Sequence, residues 1–207
     1  MSRNDVEPTL FASLETQRAV RRLRPDPISK DVLEALIYYA TRAPSGGNRQ
    51  PWEFIVVTET DLLRAIGEIY RAASLPIFTA QLAKAKDEAA LRVYREAMHL
   101  SAHIGEASTV IVVCARVSPQ RTLEQQLSSI YPAVQNLLLA ARGFGLGSVL
   151  TTIHKRKDLE LRALLSIPEG VETVCLVPIG LPEDPERAFR PIDSRRPLSE
   201  VLHWQRF

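Results

Sequence analysis

The sequence predicts a single domain in which short apolar strands alternate with amphipathic helices, and three observations carry that reading. The chain has 207 residues, 45% of them hydrophobic, which is ample for one full core. Four strand-sized runs rich in β-branched and other apolar residues stand at 54–57, 109–117, 149–153 and 172–179. Between them lie stretches whose apolar residues recur at helical spacing.

In chain order, residues 9–23 carry Leu10, Phe11, Leu14, Ala19 and Val20 at roughly helical spacing and end in arginines at 18, 21, 22 and 24. Pro25-Asp26-Pro27 must break that helix. The four arginines are either a solvated face or an anion site, since guanidinium forks match phosphate oxygens. Ser29 is a good N-cap for a helix with Val32, Leu33, Leu36, Ile37 and Ala40 on its apolar side, stopped at Pro44. After the strand at 54–57, Thr60 caps a helix with Leu62, Leu63, Ile66 and Ile69, which Pro76 interrupts. Residues 78–101 read as one or two mobile helices, a helical excursion (77–104) that is either a lid or a dimer surface.

Residues 126–142 form a long helical pattern in which Pro132 is tolerable only in the first turn. It ends at Gly143-Phe144-Gly145-Leu146-Gly147-Ser148. A dinucleotide-binding glycine loop follows a strand and opens a helix, whereas this one does the reverse, so a helix C-cap with a tight turn is the reading. Thr151 and Thr152 sit on the third strand. A helix at 157–165 is closed by Pro168-Glu169-Gly170 ahead of the fourth strand. The arm at 181–207 is rich in proline and charge, with no core periodicity of its own, and is expected to pack on something else, namely a second subunit.

Composition narrows the partners. A formal net charge of +2 argues against nucleic acid or an anionic membrane, so any charge effect is local. No apolar run approaches bilayer length, and the acidic N-terminus has no apolar signal core, which points to the cytoplasm. Cys114 and Cys175 lie inside strand-like runs with nothing cationic beside them and read as small buried hydrophobes. Glu96, His99 and His103 share a helical face, but a metal site needs its full ligand set and the other histidines, His154 and His203, stand in unrelated contexts, so no metal is expected.

The most site-like stretch is Ala43-Pro44-Ser45-Gly46-Gly47-Asn48-Arg49-Gln50-Pro51-Trp52. Glycines permit close backbone approach, prolines fix the path, and Ser45, Asn48 and Gln50 supply polar groups of defined geometry. No nucleophile elbow, phosphate-binding lysine loop or Cys-His pair assembles. Arginines at both ends plus a Gly/Ser/Asn loop suit a bound, phosphorylated cofactor that carries the chemistry itself.

Four features in order resemble the FMN-dependent nitroreductase family: Arg18-Ala19-Val20-Arg21-Arg22, the 43–52 loop, Gly145-Leu146-Gly147-Ser148, and Pro168-Glu169-Gly170 followed by a strand and Arg195-Arg196-Pro197-Leu198. The resemblance covers nearly the whole chain and implies one α+β domain. Its sheet would be mixed, mainly antiparallel, of four to five strands flanked by helices, in an obligate homodimer that exchanges C-terminal arms and holds FMN at the subunit interface. On matching positions, Arg18, Arg21 and the backbone of Ala19 would meet FMN, with Arg195 closing on its phosphate. Pro44, Ser45, Gly46 and Asn48 would reach the partner's flavin, and Thr151 and Thr152 would lie beside its reactive edge.

The chain departs from the family's usual Arg-Arg-Ser, reading Gln17-Arg18-Ala19, and from the usual serines at Gly46-Gly47, so contacts there would be main-chain. Trp52 and Gln50 read as structural. The implied activity is ping-pong hydride transfer from NADH or NADPH to nitroaromatics, quinones or similar acceptors, in a pocket roofed by residues 77–98. The same fold hosts flavin-fragmenting and dehalogenating members, and a non-catalytic flavin-binding regulatory module is a further reading.

Overall fold

A strand that is apolar on both faces needs cover on both. The computed structural model describes residues 8–191 and 195–207, and two such strands form the middle of its sheet. The strands are β1 (Trp52–Val57), β2 (Thr109–Arg116), β3 (Gly147–Ser148) and β4 (Val171–Gly180), all paired antiparallel in the order β1-β2-β4-β3. The helices are α1 (Leu10–Thr16), α2 (Lys30–Ala40), α3 (Thr60–Lys84), α4 (Glu88–His103), α5 (Leu123–Gly143), α6 (Asp158–Leu164) and α7 (Pro185–Ala188).

The two faces of the sheet carry separate cores. Ile111, Val113 and Ala115 of β2 pack with Leu36 of α2 and with Ile130 and Leu137 of α5. The alternate residues Val110, Val112 and Cys114 pack with Ile66 and Tyr70 of α3, Leu100 of α4 and Leu161 of α6. Val113 pairs with Cys175 but Cys114 pairs with Thr173, so β4 carries one extra residue there and both Val174 and Cys175 turn toward the α2/α5 side. Trp52 is buried in that same core, in keeping with its structural reading. Burial pushes both cysteine thiols up to about 12, which keeps them protonated and unreactive at neutral pH.

The described architecture bears out the α+β fold and corrects several element boundaries. The first helix ends at Thr16, and residues 19–24 are extended instead of helical. Their backbone groups are taken by the sheet edge: Val20 N donates to Ser148 O at 2.9 Å and Arg24 N to Leu181 O at 2.7 Å. Ala19 makes a parallel bridge to Ser148, the one parallel element beside an antiparallel sheet among the described residues.

Helix α3 begins at Thr60 with Glu59 as its N-cap, and it runs through Pro76 to Lys84. Pro132 likewise lies in the interior of α5. An internal proline costs about 3 kcal/mol, and the apolar face of α5 offsets it by burying Ile130, Ala133, Val134, Leu137 and Ala141. The excursion is therefore the second half of α3 plus α4. The expected strand at 149–153 is shorter and earlier: β3 covers 147–148, Thr151 adds a lone bridge to Leu176, and Thr152 is already the N-cap of a 3-10 turn at Ile153–Lys157.

No helix among the described residues is long and apolar enough to cross a membrane. The turn after α5 is a helix C-cap, as its sequence suggested: Gly145 adopts φ +71° and Leu146 N donates back to Ala141 O at 2.8 Å.

Gly147 decides how closely the 18–22 segment approaches the sheet. A Cβ built there would stand 2.6 Å from Val20 Cγ1 and 3.0 Å from Leu23 Cδ2. Gly147→Ala is expected to destabilise the fold by about 1–3 kcal/mol as an overpacking substitution. Urea denaturation measures this, and an unchanged midpoint would show that the segment is not held against β3.

Candidate functional site

Because residues 19–24 lie along the outer edge of β3, their side chains face away from the sheet on one side and into it on the other. Val20 is buried, while Arg18, Arg21 and Arg22 line a cavity of about 530 Å³. The far wall is built by α4, which contributes Arg92, Val93 and Glu96, and by the segment from Pro182 through α7, which contributes Arg187 and Arg190. Glu183 N donates to Arg22 O at 3.2 Å, so the two chain segments framing the cavity are tied by backbone.

A carboxylate organises the arginines. Glu96 accepts from Arg22 Nε at 3.1 and 3.3 Å through its two oxygens, and from Arg187 Nη2 at 3.4 Å. Arg142 lies against the same region, with its Nε on Thr16 Oγ1 at 2.8 Å and its guanidinium 4.1 Å above the Phe189 ring.

A second cavity of about 140 Å³ shares Arg21 and Val93 with the first and is otherwise mostly apolar, with Phe78, Leu100, Val149 and Leu150 in its wall beside Tyr94. Its polar group is a hydroxyl pair: Tyr70 Oη and Thr151 Oγ1 stand 2.9 Å apart, both buried. Burial pushes the Tyr70 phenol upward, against the opposing influence of the Thr151 hydrogen bond, so it stays neutral. Burial lowers Arg21 from its ordinary value, and the nearby Tyr70 and Glu96 oppose that shift. The guanidinium is thus a partly desolvated cation between a polar cavity and an apolar one.

Thr151 is held by the sheet and by the turn that comes after it. Its N–H donates to Leu176 O, and its carbonyl accepts from Leu176 N, both at 2.9 Å. The turn is anchored through Thr173 of β4, whose hydroxyl donates to Asp158 Oδ1 and therefore accepts from both Lys155 Nζ at 3.2 Å and His154 Nε2 at 3.1 Å. That sets the His154 proton on Nε2 and leaves its Nδ1, buried, without a protein partner among the described residues. Burial, then the Lys155 charge, hold His154 down to about 4. Asp158 is pulled up by burial, but its bonds to Thr173 and Lys155 outweigh this and leave it lowered.

The structure thus brings Arg18, Ala19 and Arg21 together in one cavity and Thr151 into the adjoining one. Thr152 is exposed and lines neither. Arg195 is exposed on the arm and does not line the arginine cavity. Nor do Pro44, Ser45, Gly46 and Asn48, which precede β1 at the opposite edge of the sheet.

That loop is braced from within: Ser45 Oγ accepts from Gln50 N at 3.0 Å, and Asn48 Oδ1 accepts from Gln50 Nε2 at 3.1 Å. Gly46 N donates to Ser129 Oγ of α5 at 3.3 Å. Gln50 thus braces the loop through its backbone and its side chain, and the amide NH2 of Asn48 is left to donate outward. Asn48 and Gln50 sit at φ +51° and +50°, a left-handed conformation uncommon for residues with a Cβ and one that clusters at ligand sites.

Sequence reasoning missed Tyr70, Glu96, Arg92, Arg187 and Arg190. In the sequence Glu96 stands out only beside His99 and His103, whose rings lie 4.4 Å apart in the fold. Among the described residues no three His, Cys, Asp or Glu side chains converge to hold a metal.

Fold and site together define an α+β protein with an arginine-lined cavity and, sharing Arg21 and Val93 with it, a smaller and mostly apolar one at a sheet edge. Comparison with known proteins places it further. The model of the Nitroreductase family matches residues 14–181, and the chain belongs to that family. Its members are oxidoreductases, and so is this chain.

A protein of Archaeoglobus fulgidus described as an NADH dehydrogenase/NAD(P)H nitroreductase is 30% identical over 87% of this chain and 88% of its own length. An iodotyrosine deiodinase of Thermotoga neapolitana is 28% identical over 93% of this chain and 95% of its own. Among solved structures, the FMN and NADPH-dependent nitroreductase NfnB of Sphigopyxis sp. strain HMH superposes with a TM-score of 0.75 at 22% identity, covering 96% of this chain and all (100%) of that one.

The His154 network has a measurable signature. Its folded value lies below the ordinary 6.5, so the unfolded chain takes up the proton first. Its contribution to stability is complete above about pH 6.5 and drains as pH falls from there toward 4, approaching about 1.4 kcal/mol per pH unit. His154→Gln should flatten the pH dependence of urea unfolding in that window; equal slopes in the two proteins would refute a neutral, buried imidazole.

Proposed function

We propose that the chain is an NAD(P)H-dependent FMN oxidoreductase, acting as a homodimer on nitroaromatic, quinone or similar conjugated acceptors. The observation that carries this is the pair of joined cavities, arginine-lined at one end and apolar with a buried hydroxyl pair at the other, meeting at Arg21. That donor set fits FMN: guanidiniums suit its phosphate, and an apolar cleft with a hydroxyl suits the edge of a conjugated ring.

Arg18 and the backbone at Ala19 would hold the phosphate end, and Arg21 would lie against the pyrimidine side. When bound, FMN takes a hydride from NADH or NADPH and passes two electrons to the acceptor. Arg21 places a fixed positive charge where electron density gathers, and its partial desolvation strengthens that field. Tyr70 fixes the rotamer of Thr151 and keeps water from the inner end of the cleft.

The homodimer reading draws on exposed apolar side chains. Phe11 is 74% exposed, and Leu10, Leu14, Tyr38, Tyr39 and Tyr131 are exposed with it, all on α1, α2 and α5. On the arm, Leu198 and Trp204 are exposed too. A second copy of the chain docked on these elements would cover these side chains. The 43–50 loop lies on this same α2/α5 side, through the Gly46–Ser129 contact, which favours its serving the partner's cavity. The arm, with Arg195, is read as crossing to the partner in the same way.

A second reading, reductive dehalogenation, is favoured by the similarity to iodotyrosine deiodinases and is separated by assaying released halide.

The deciding experiment is FMN loading followed by anaerobic titration with NADH and NADPH and then an acceptor panel. Protein that takes up no FMN, or loaded flavin that neither nucleotide reduces, sinks the proposal. Arg21→Ala is expected to weaken FMN binding about 10- to 100-fold, the value of one charged hydrogen-bonding group, as read by flavin fluorescence. Asn48→Leu should weaken it as well if the loop serves the partner's flavin, and unchanged affinity would count against that role.

A further inference from the structure

The arginine cavity holds more positive charge than one phosphate neutralises. Its wall carries six arginines against Glu96, Glu183 and Asp184. A phosphate monoester contributes about −1.5 to −2. The surplus is not spread evenly. Glu96 engages Arg22 and Arg187, Glu183 lies 3.8 Å from Arg22, and Asp184 is turned to cap α7 by accepting from Arg187 N at 3.0 Å. Arg18, Arg21, Arg92 and Arg190 have no carboxylate within ion-pair distance among the described residues.

Arg92 differs from the other three in where it comes from. It stands on α4, across the cavity from the 18–22 segment, and one turn before Glu96 on the same helical face. Because Glu96 is fastened to Arg22 and Arg187, that face of α4 is pinned to the cavity and Arg92 is presented to it. Val93, its neighbour, lines both cavities, so Arg92 sits beside the passage into the apolar cleft. An exposed arginine in the cavity wall, on a different element from the arginines assigned to the cofactor phosphate, is placed to meet whatever enters after the cofactor.

We infer that Arg92 forms an anion subsite for the ligand that stacks in the cleft, so that the preferred ligand is a conjugated ring bearing a carboxylate or phosphate group. This rests on the flavin reading above. The shared chemistry is an oxyanion paired to a guanidinium. It has two sources, the carboxylate of the acceptor and the 2′-phosphate of NADPH, and the half-reactions separate them.

The test uses the FMN-loaded full chain with 4-nitrobenzoate and its neutral counterpart 4-nitrobenzyl alcohol as acceptors, and NADPH against NADH as reductants. Binding is read from perturbation of the flavin spectrum as well as from KM and kcat. Wild-type protein is expected to bind the more anionic member of one pair at least tenfold more tightly than its partner compound. Arg92→Ala should abolish that preference through KM or dissociation constant, with kcat and FMN affinity within twofold, and Arg92→Lys should restore part of it.

Loss of the 4-nitrobenzoate preference assigns the subsite to the acceptor, and loss of the NADPH preference assigns it to the nucleotide; either supports the inference. FMN-loaded wild type with no charge preference in either pair overturns it, as does a preference that survives Arg92→Ala. A fall in FMN affinity in Arg92→Ala overturns it too, by making Arg92 a cofactor contact. Wild-type protein that takes up no FMN overturns the flavin reading instead, before the charge comparison is reached.

Discussion

The pairing of residues 19–24 with β3 and with the strand exit at 181–183 is the constraint on which the rest of the site depends. It converts a run of arginines from the end of a helix into the lining of a cavity. It does so with ordinary backbone hydrogen bonds, Val20 to Ser148 and Arg24 to Leu181, made possible by the missing side chain at Gly147. Val20 is buried against the sheet edge, and Arg21 lines both cavities beside Thr151. Had the segment stayed helical, Arg18, Arg21 and Arg22 would have fanned around an axis instead of facing α4 together.

The same pairing marks where sequence reading stopped being sufficient. Apolar runs identified β1, β2 and β4, the last two because central strands, covered on both faces, must be apolar throughout, while the run at 149–153 missed the two-residue edge strand at Gly147–Ser148; Ser29 announced the start of α2 because capping is local chemistry. Residues 17–23 could not be read that way: Leu10, Phe11 and Leu14 continue into Ala19 and Val20 at helical spacing, and what breaks the pattern is an edge more than a hundred residues away. Pro76 and Pro132 misled for a related reason, since proline's local penalty is smaller than the burial that carries α5 past it.

Of the candidate site, Arg18, Ala19, Arg21 and Thr151 were legible as motif residues, and the structure gathers them. Tyr70, Glu96 and Arg92 were not, because each lies in a helix where it reads as an ordinary polar or amphipathic residue. Their meaning comes from what α3 and α4 are packed against. The loop at 43–52 was legible as a site by its composition, and its positive-φ Asn48 and Gln50 agree with that, yet one chain keeps it apart from the arginines. The homodimer reading resolves that separation.

Glu96 is a resident counter-ion. It joins α4 to Arg22 on one strand edge and to Arg187 on α7, three pieces of chain brought together by a single carboxylate. An oxyanion entering as proposed above would compete with Glu96 for Arg22 and Arg187, so whatever it gained from those two arginines would be set against what Glu96 gives up, and binding there would be an ion exchange.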